Sequence, residues 1–239
     1  MKRENFIGFL PFYLLVAILF IGIAHGSSAA VTTVAQSAPL RREHTIIVDA
    51  GHGGVDGGAT SCSGILEKHL NLEIALRLND LLQMLGMQTK MIRTIDTSIH
   101  TEGETIAAKK VSDLKHRVQI ANEASNGILV SIHQNTYPSS QYSGAQVFFG
   151  SQQGSETLAK QLQNRLIATV NSGSSREPKK ASGIYLLQNI KCPGVLIECG
   201  FISNPEEEAR LRTAEYQKKL CSIIATEISR FLLDSQTND

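Results

Sequence analysis

Apolar residues in this chain follow two kinds of pattern, and their alternation predicts an architecture. Short, nearly continuous apolar runs occur at Thr45 to Asp49, Ile128 to His133 and Val195 to Cys199. Runs of this length, rich in Ile and Val, mark strands covered on both faces. Met87 to Arg93 alternates and reads as a strand, and Ala145 to Phe149 and Ile184 to Leu187 read as two more. Between them Leu70, Ile74, Leu78, Leu81, Leu82 and Leu85 recur at helical spacing over Glu67 to Leu85, and Gly86 supplies the stop. Ser112 or Asp113 can cap a helix to Ala124, with Leu114, Val118 and Ala121 on one face and Asn126-Gly127 ending it. Ser155 is placed to cap a helix to about Val170, and a last amphipathic helix runs from about Ala214 to Leu233. Asn204-Pro205-Glu206-Glu207-Glu208 reads as a cap, a proline at the first helical position, and acids where the helix dipole favours them. Residues 94–111, 134–143 and 171–182 read as loops, the first long enough to be a functional rim. Strands alternating with helices predict an α/β fold with a mostly parallel sheet covered on both faces.

The N-terminus departs from this pattern. Lys2 and Arg3 precede an uncharged stretch from Phe6 to Ala24, interrupted only by Pro11 and two glycines. As a helix it would span about 28 Å, close to the ~30 Å of a bilayer's hydrocarbon core. Residues 1–24 are therefore expected to be a signal peptide or an N-terminal membrane anchor. The small residues of Ala24-His25-Gly26 and Ser28-Ala29-Ala30 offer cleavage sites, and the basic end is oriented to the cytoplasm. Retention and cleavage both stay open. Residues 25–43, rich in Ser, Ala, Thr and Gln with Pro39, read as a linker, and the folded domain is expected over 44–234. The domain is then exported, to the outer side of the cytoplasmic membrane.

Composition narrows the partners. The chain has 239 residues and a net charge of +1, which gives no electrostatic case for nucleic acid. Cys62, Cys192, Cys199 and Cys221 form neither a dense disulfide framework nor a Cys-x-x-Cys metal pair. Small buried apolar roles fit them, and a single bridge stays open.

The candidate chemistry begins where the first strand ends. Asp49-Ala50-Gly51-His52-Gly53-Gly54, with Gly57 and Gly58 beyond, is a buried strand emptying into a glycine loop that carries one imidazole. A phosphate cradle is the rival, but no GK[ST] follows and Lys68 comes only after a long gap. His133 closes the third strand and Glu198 the last, and in an open parallel sheet ligands bind at the carboxyl ends of strands. Glu67 stands at the N-terminus of the first helix, where the dipole favours its ionised form. Two imidazoles and a carboxylate with one open position is an arrangement used for catalytic zinc. His52, Glu67 and His133 would be the ligands, and Glu198 the general base that takes the proton of the attacking water. Each has a plainer reading taken alone: a turn histidine, a buried strand-end histidine, a first-turn acid. Glu198 is hardest to dismiss, because an acid after Val195-Leu196-Ile197 needs a partner or a reason.

Four blocks carry a specific resemblance. They are Asp49 to Gly54, Glu67 followed by Asn71, Ser131-Ile132-His133-Gln134-Asn135, and Glu198-Cys199-Gly200-Phe201-Ile202-Ser203-Asn204-Pro205-Glu206-Glu207. Together they resemble the signature of the zinc N-acetylmuramoyl-L-alanine amidases of the amidase-3 family, over roughly His44 to Leu233. The resemblance implies a mixed six-stranded sheet flanked by helices, Zn2+ held by His52, Glu67 and His133, and Glu198 as the catalytic glutamate. It implies hydrolysis of the amide between N-acetylmuramic acid and L-alanine, with peptidoglycan as partner. Asn71 and Asn135 are expected either to touch substrate or to orient a ligand, and the loop Arg176 to Lys180 either meets stem-peptide carboxylates or is simply solvated. Cys199 replaces a frequent Thr and should point away from Glu198. The short, membrane-targeted architecture is similar to that of the spore-cortex branch of the family, whose members prepare muramic-δ-lactam, and leaves room for an accessory lipoprotein. A general growth or division amidase and a non-catalytic wall-binding module are the alternatives.

Overall fold

The computed structural model describes residues 43–235, so the hydrophobic segment and nearly all of the linker expected upstream lie outside the described residues. Six strands form one mixed sheet in the order β2-β1-β3-β6-β4-β5. They are β1 (Thr45–Ala50), β2 (Gln88–Met91), β3 (Gly127–Asn135), β4 (Gln146–Phe149), β5 (Lys179–Lys180) and β6 (Gly194–Phe201). β2, β1, β3 and β6 run parallel, β4 is antiparallel to β6, and β5 is parallel to β4. The four parallel strands therefore end along one edge, with Asp49 opposite Ser131 and His133 opposite Glu198.

Each face of the sheet is covered. Ile46, Val48, Ile128, Val130, Ile132, Val195 and Ile197 pack on one side with leucines and isoleucines of α1 (Glu67–Met84), α3 (Ser155–Val170) and α6 (Ala214–Asp234). Ile47, Leu129 and Leu196 point the other way, toward Ala121 of α2 (Ile106–Asn122) and Leu186 and Leu187 of α4 (Tyr185–Asn189). Burying each such aliphatic side chain stabilises by roughly 1.5–3 kcal/mol. Residues two apart on a strand share a face, which puts Cys199 in the first core with Ile197 and turns Glu198 to the other side. All four cysteines are free thiols.

Several boundaries follow the sequence reading and several do not. Gly86 follows α1 in the left-handed region at φ 79°, whereas α2 stops at Asn122 with Glu123 as its cap, and Asn126, at φ 47°, turns the chain into β3. Asn204 caps α5 (Pro205–Leu211) through a 3.0 Å bond from the Glu207 amide. The second helix, however, begins at Ile106 and not at Ser112, with Thr105 as the cap accepting from the Ala108 amide. Its first turns are exposed, so no apolar period betrays them. Ser112 and Asp113 instead accept amides from the preceding loop, those of Thr101 and Glu102 at Ser112 Oγ and that of Ile99 at Asp113 Oδ1. Ser155 is not a cap either: Gly154, at φ 86°, holds that place, and the Ser155 hydroxyl accepts from the Gly194 amide. Ile184 to Leu187 is not a strand but the start of α4, because Leu186, Leu187 and Ile190 all face one apolar core. The sixth strand is instead the two-residue edge β5.

Candidate metal centre and catalytic carboxylate

Just past β1 the backbone turns sharply. His52 has φ 61°, a left-handed conformation costly for a residue with a side chain, and Gly53 and Asp56 exchange amide bonds of 2.9 and 3.1 Å. This small hairpin brings the Asp56 carboxylate under the imidazole, with Oδ2 2.9 Å from His52 Nδ1. The Lys110 ammonium holds the other Asp56 oxygen at 2.7 Å. His52 Nε2 is thereby directed at Glu67 Oε2, 3.2 Å away.

Glu67 opens α1, and its buried carboxylate is fixed from several sides. Its oxygens accept from the amides of Ala59 (2.9 Å) and Gln134 (3.0 Å), and from the Asn71 side chain (3.2 Å). His133 Nδ1, on β3, lies 3.0 Å from Glu67 Oε1. Close glycines make room. A side chain at Gly51 would come within 2.1 Å of His133 Nε2, and one at Gly58, itself at φ 69°, within 2.6 Å of Glu67 Oε2. The two imidazole rings meet edge to face, with centroids 4.9 Å apart.

The ligand atoms of His52, Glu67 and His133 all lie within 4.8 Å of one another. Ligands about 2.0–2.1 Å from a tetrahedral zinc sit roughly 3.4 Å apart, close to the His52–Glu67 separation. Donor types, spacing and the oriented His52 therefore fit a metal ion of that kind. Burial would raise the Glu67 carboxyl, but the imidazoles of His133 and His52 outweigh it and hold Glu67 well below the usual carboxylate range. The converse holds for His52. Burial works to lower it, yet Asp56 and Glu67 push it up to about 9.

Glu198 is the remaining acid. It pairs with His133 across β3 and β6, and its Oε2 is buried with no hydrogen-bond partner. Burial chiefly, with the nearby Glu67 charge adding to it, pushes the carboxyl up to about 7, although His133 and His52 pull the other way. His52, His133 and Glu198 line a cavity of about 340 Å³ whose far wall is apolar: Leu114, Ile184 and Tyr185. That is the size of a small-ligand cleft.

Asn71 lies beneath the carboxylate. It is fully buried, donates to Glu67 Oε1 and to the Gly51 carbonyl, and accepts from Gln134, so in this structure it holds the Glu67 carboxylate and presents no surface to the cavity. Asn135 ends β3 partly exposed, beside Phe201, and does not line the cavity. Sequence reasoning missed the scaffold beneath. Arg117 binds Asp49 and Asp113 and the carbonyls of Ala50 and His52, while Arg93 donates to the carbonyls of Ala50, Gly51, Lys68 and Ile95. Ser131 completes Asp49 with a 2.6 Å bond. One signal was available: Asp113, Arg117 and Ala121 share a helical stripe, which sets a charged pair on a buried face.

Residues 46–230 match the Amidase_3 family, described as N-acetylmuramoyl-L-alanine amidase. The chain belongs to that family. It is 40% identical over 191 residues to the germination-specific N-acetylmuramoyl-L-alanine amidase of Bacillus subtilis, covering 79% of this chain and 80% of the relative. The N-acetylmuramoyl-L-alanine amidase LytC of the same organism is 33% identical over 75% of this chain and 34% of its own length. Among solved structures, the CwlD amidase of Clostridioides difficile, in complex with the GerS lipoprotein, aligns with a TM-score of 0.75 at 38% identity, over 79% of this chain and 98% of that one. The chain is thus an N-acetylmuramoyl-L-alanine amidase acting on peptidoglycan, with a mixed α/β fold and a His-Glu-His group able to hold a metal ion.

Proposed function

We propose that this amidase is zinc-dependent, is exported to the outer side of the cytoplasmic membrane, and trims stem peptides from spore-cortex peptidoglycan ahead of muramic-δ-lactam formation. The observation that carries the zinc reading is the convergence of His52, Glu67 and His133 beside an unpartnered Glu198 carboxylate. When bound there, zinc would polarise the scissile carbonyl and make water a better nucleophile near neutral pH. Asp56 keeps the Nδ1 proton of His52 and so presents Nε2 to the ion. Glu198, which lines the cavity, accepts the proton of the attacking water and passes it to the leaving L-alanine amine.

The cortex role is supported by the likeness to the germination-specific relative and to the amidase solved with a lipoprotein. A lipoprotein partner for this chain follows as part of the same proposal. Purified peptidoglycan incubated with the protein should release stem peptides, and a chelator should stop the release. His133→Ala should lose its zinc, and full zinc occupancy by metal analysis would refute that ligand. Cortex from sporulating cells lacking the protein should contain no muramic-δ-lactam, and a normal lactam content would overturn the cortex assignment.

A further inference from the structure

A second cavity, of about 640 Å³, opens beside the same sheet edge, lined by Gln141, Tyr142, Ser174, Arg176, Glu207 and Arg210 among other polar residues. Gln146 pairs with Glu198, and Gly144, on the rim of this cavity, lies two residues outside that pair, about 7 Å along the sheet. Backbone spacing therefore sets the near edge of this cavity about two extended residues from the Glu198 pair.

Its two cations each stack on an aromatic ring. Arg176 is half-buried, lies over the Phe201 ring with its guanidinium carbon 5.2 Å from the centroid, and donates one Nη2 bond to the Ser143 carbonyl. Arg210 lies over Tyr216 at 5.5 Å and only brushes Glu207, at 3.9 Å. Both thus keep free N–H donors on a fork whose orientation is set by ring stacking. The carboxylate in the cavity wall does not use them up. Both Glu207 oxygens accept the Gly144 amide at 2.9 Å, and Oε2 also takes the Phe201 amide at 2.7 Å.

We propose that Arg176 and Arg210 form a carboxylate subsite for the stem peptide, reading the free acid of a residue beyond L-alanine. The proposal rests on the amidase reading and adds which part of the substrate is recognised. A planar guanidinium pair matches a carboxylate in geometry and charge, whereas an amidated residue offers neither. Specificity arises because the amide cannot make the charge-assisted contacts that a carboxylate makes with the two guanidinium groups.

The test uses the zinc-loaded full chain and two muropeptides that differ only in whether the second stem residue is a free acid or its amide. Wild-type KM should be about tenfold lower for the free acid, as expected for a charge-assisted contact. R176Q should erase the preference by raising KM for the free acid about tenfold. R176K, which keeps the charge, should recover part of it. R210Q is an independent route to the same result if R176Q fails to fold. Equal wild-type KM values, or arginine variants that shift both substrates alike, overturn the subsite while leaving the amidase reading intact. Hydrolysis of neither substrate by wild type overturns that reading, and the subsite with it.

Discussion

Zinc affinity should rise about tenfold per pH unit between pH 7 and 9 and then level off. The reason lies in what His52 binds without the metal. Burial by itself would lower the imidazole, but Asp56 Oδ2 at 2.9 Å from Nδ1 and Glu67 Oε2 at 3.2 Å from Nε2 push it up to about 9. A metal ligand must be unprotonated, so zinc has to displace the Nε2 proton, while the Nδ1 proton stays on the bond to Asp56. Two pH units below 9, that displacement costs about 2.7 kcal/mol, or about a hundredfold in apparent affinity. Competition with a chromophoric chelator from pH 6.5 to 9.5 measures the slope. Calorimetry in two buffers of different ionisation enthalpy should count about one proton released at pH 7 and close to none above 9.5. Asp56→Asn should move the inflection to lower pH, because it removes the strongest contact holding the proton. It should also lower the plateau affinity about 10- to 100-fold through loss of the oriented ring. An affinity flat to within twofold from pH 7 to 9 would refute the argument.

The same group makes an opposite statement about stability. His52 has a raised folded pKa, so its contribution to the metal-free fold is full below pH 6.5, is lost as pH rises to about 9, and amounts to roughly 3 kcal/mol. Urea unfolding of chelator-treated protein at pH 6 and 9.5 should show that loss. Glu198→Ala should keep fold and zinc but lower kcat by about 10²- to 10⁴-fold; near-normal release of stem peptides would exclude it as the base. Gly58→Ala should abolish zinc binding, since its methyl would sit 2.6 Å from Glu67 Oε2 and 2.7 Å from the His52 ring, and undiminished zinc content would count against the geometry. Arg117→Met should destabilise by about 3–5 kcal/mol, because Asp49 would be left buried and charged; a loss below about 1 kcal/mol would mean Asp49 is otherwise satisfied.

What could be read from the chain beforehand divides along physical lines. The strands β1, β3 and β6 were legible because Ile46 to Val48, Ile128 to Val130 and Val195 to Ile197 are apolar on both faces, a pattern exposed elements cannot produce. The convergence of His52, Glu67 and His133 was legible because strand ends and a helix start are predictable positions, and parallel strands bring their ends together. Helix α2 was placed late because its first turns bury nothing, leaving no periodicity to detect. α4 was mistaken for a strand because a five-residue helix and a short strand offer the same few apolar residues. Polar roles were the least legible. Ser112 and Ser155 are good caps by type, yet tertiary partners claimed both hydroxyls. Asn71 keeps two readings in the sequence because its complete burial beneath Glu67 is a tertiary fact.

The arginine scaffold explains how the site tolerates its own costs. His52 occupies a left-handed backbone conformation, and Glu198 holds a buried oxygen without a partner; each costs of order 1–3 kcal/mol. Neither is relieved locally: relief would turn the imidazole away from Glu67 or give the Glu198 oxygen a fixed partner. Instead Arg93 and Arg117 together engage the carbonyls of Ala50, Gly51 and His52, which ties the backbone that carries the imidazole to the scaffold. Lys68 and Asp96 fix the next turn through the Gly54 carbonyl and amide. Order is thus imposed on the loop by side chains from three other segments, and the glycines serve close approach more than mobility. The partnerless carboxylate and the strained histidine mark where the fold gives up stability for chemistry, as expected when local rules are broken only at a functional site.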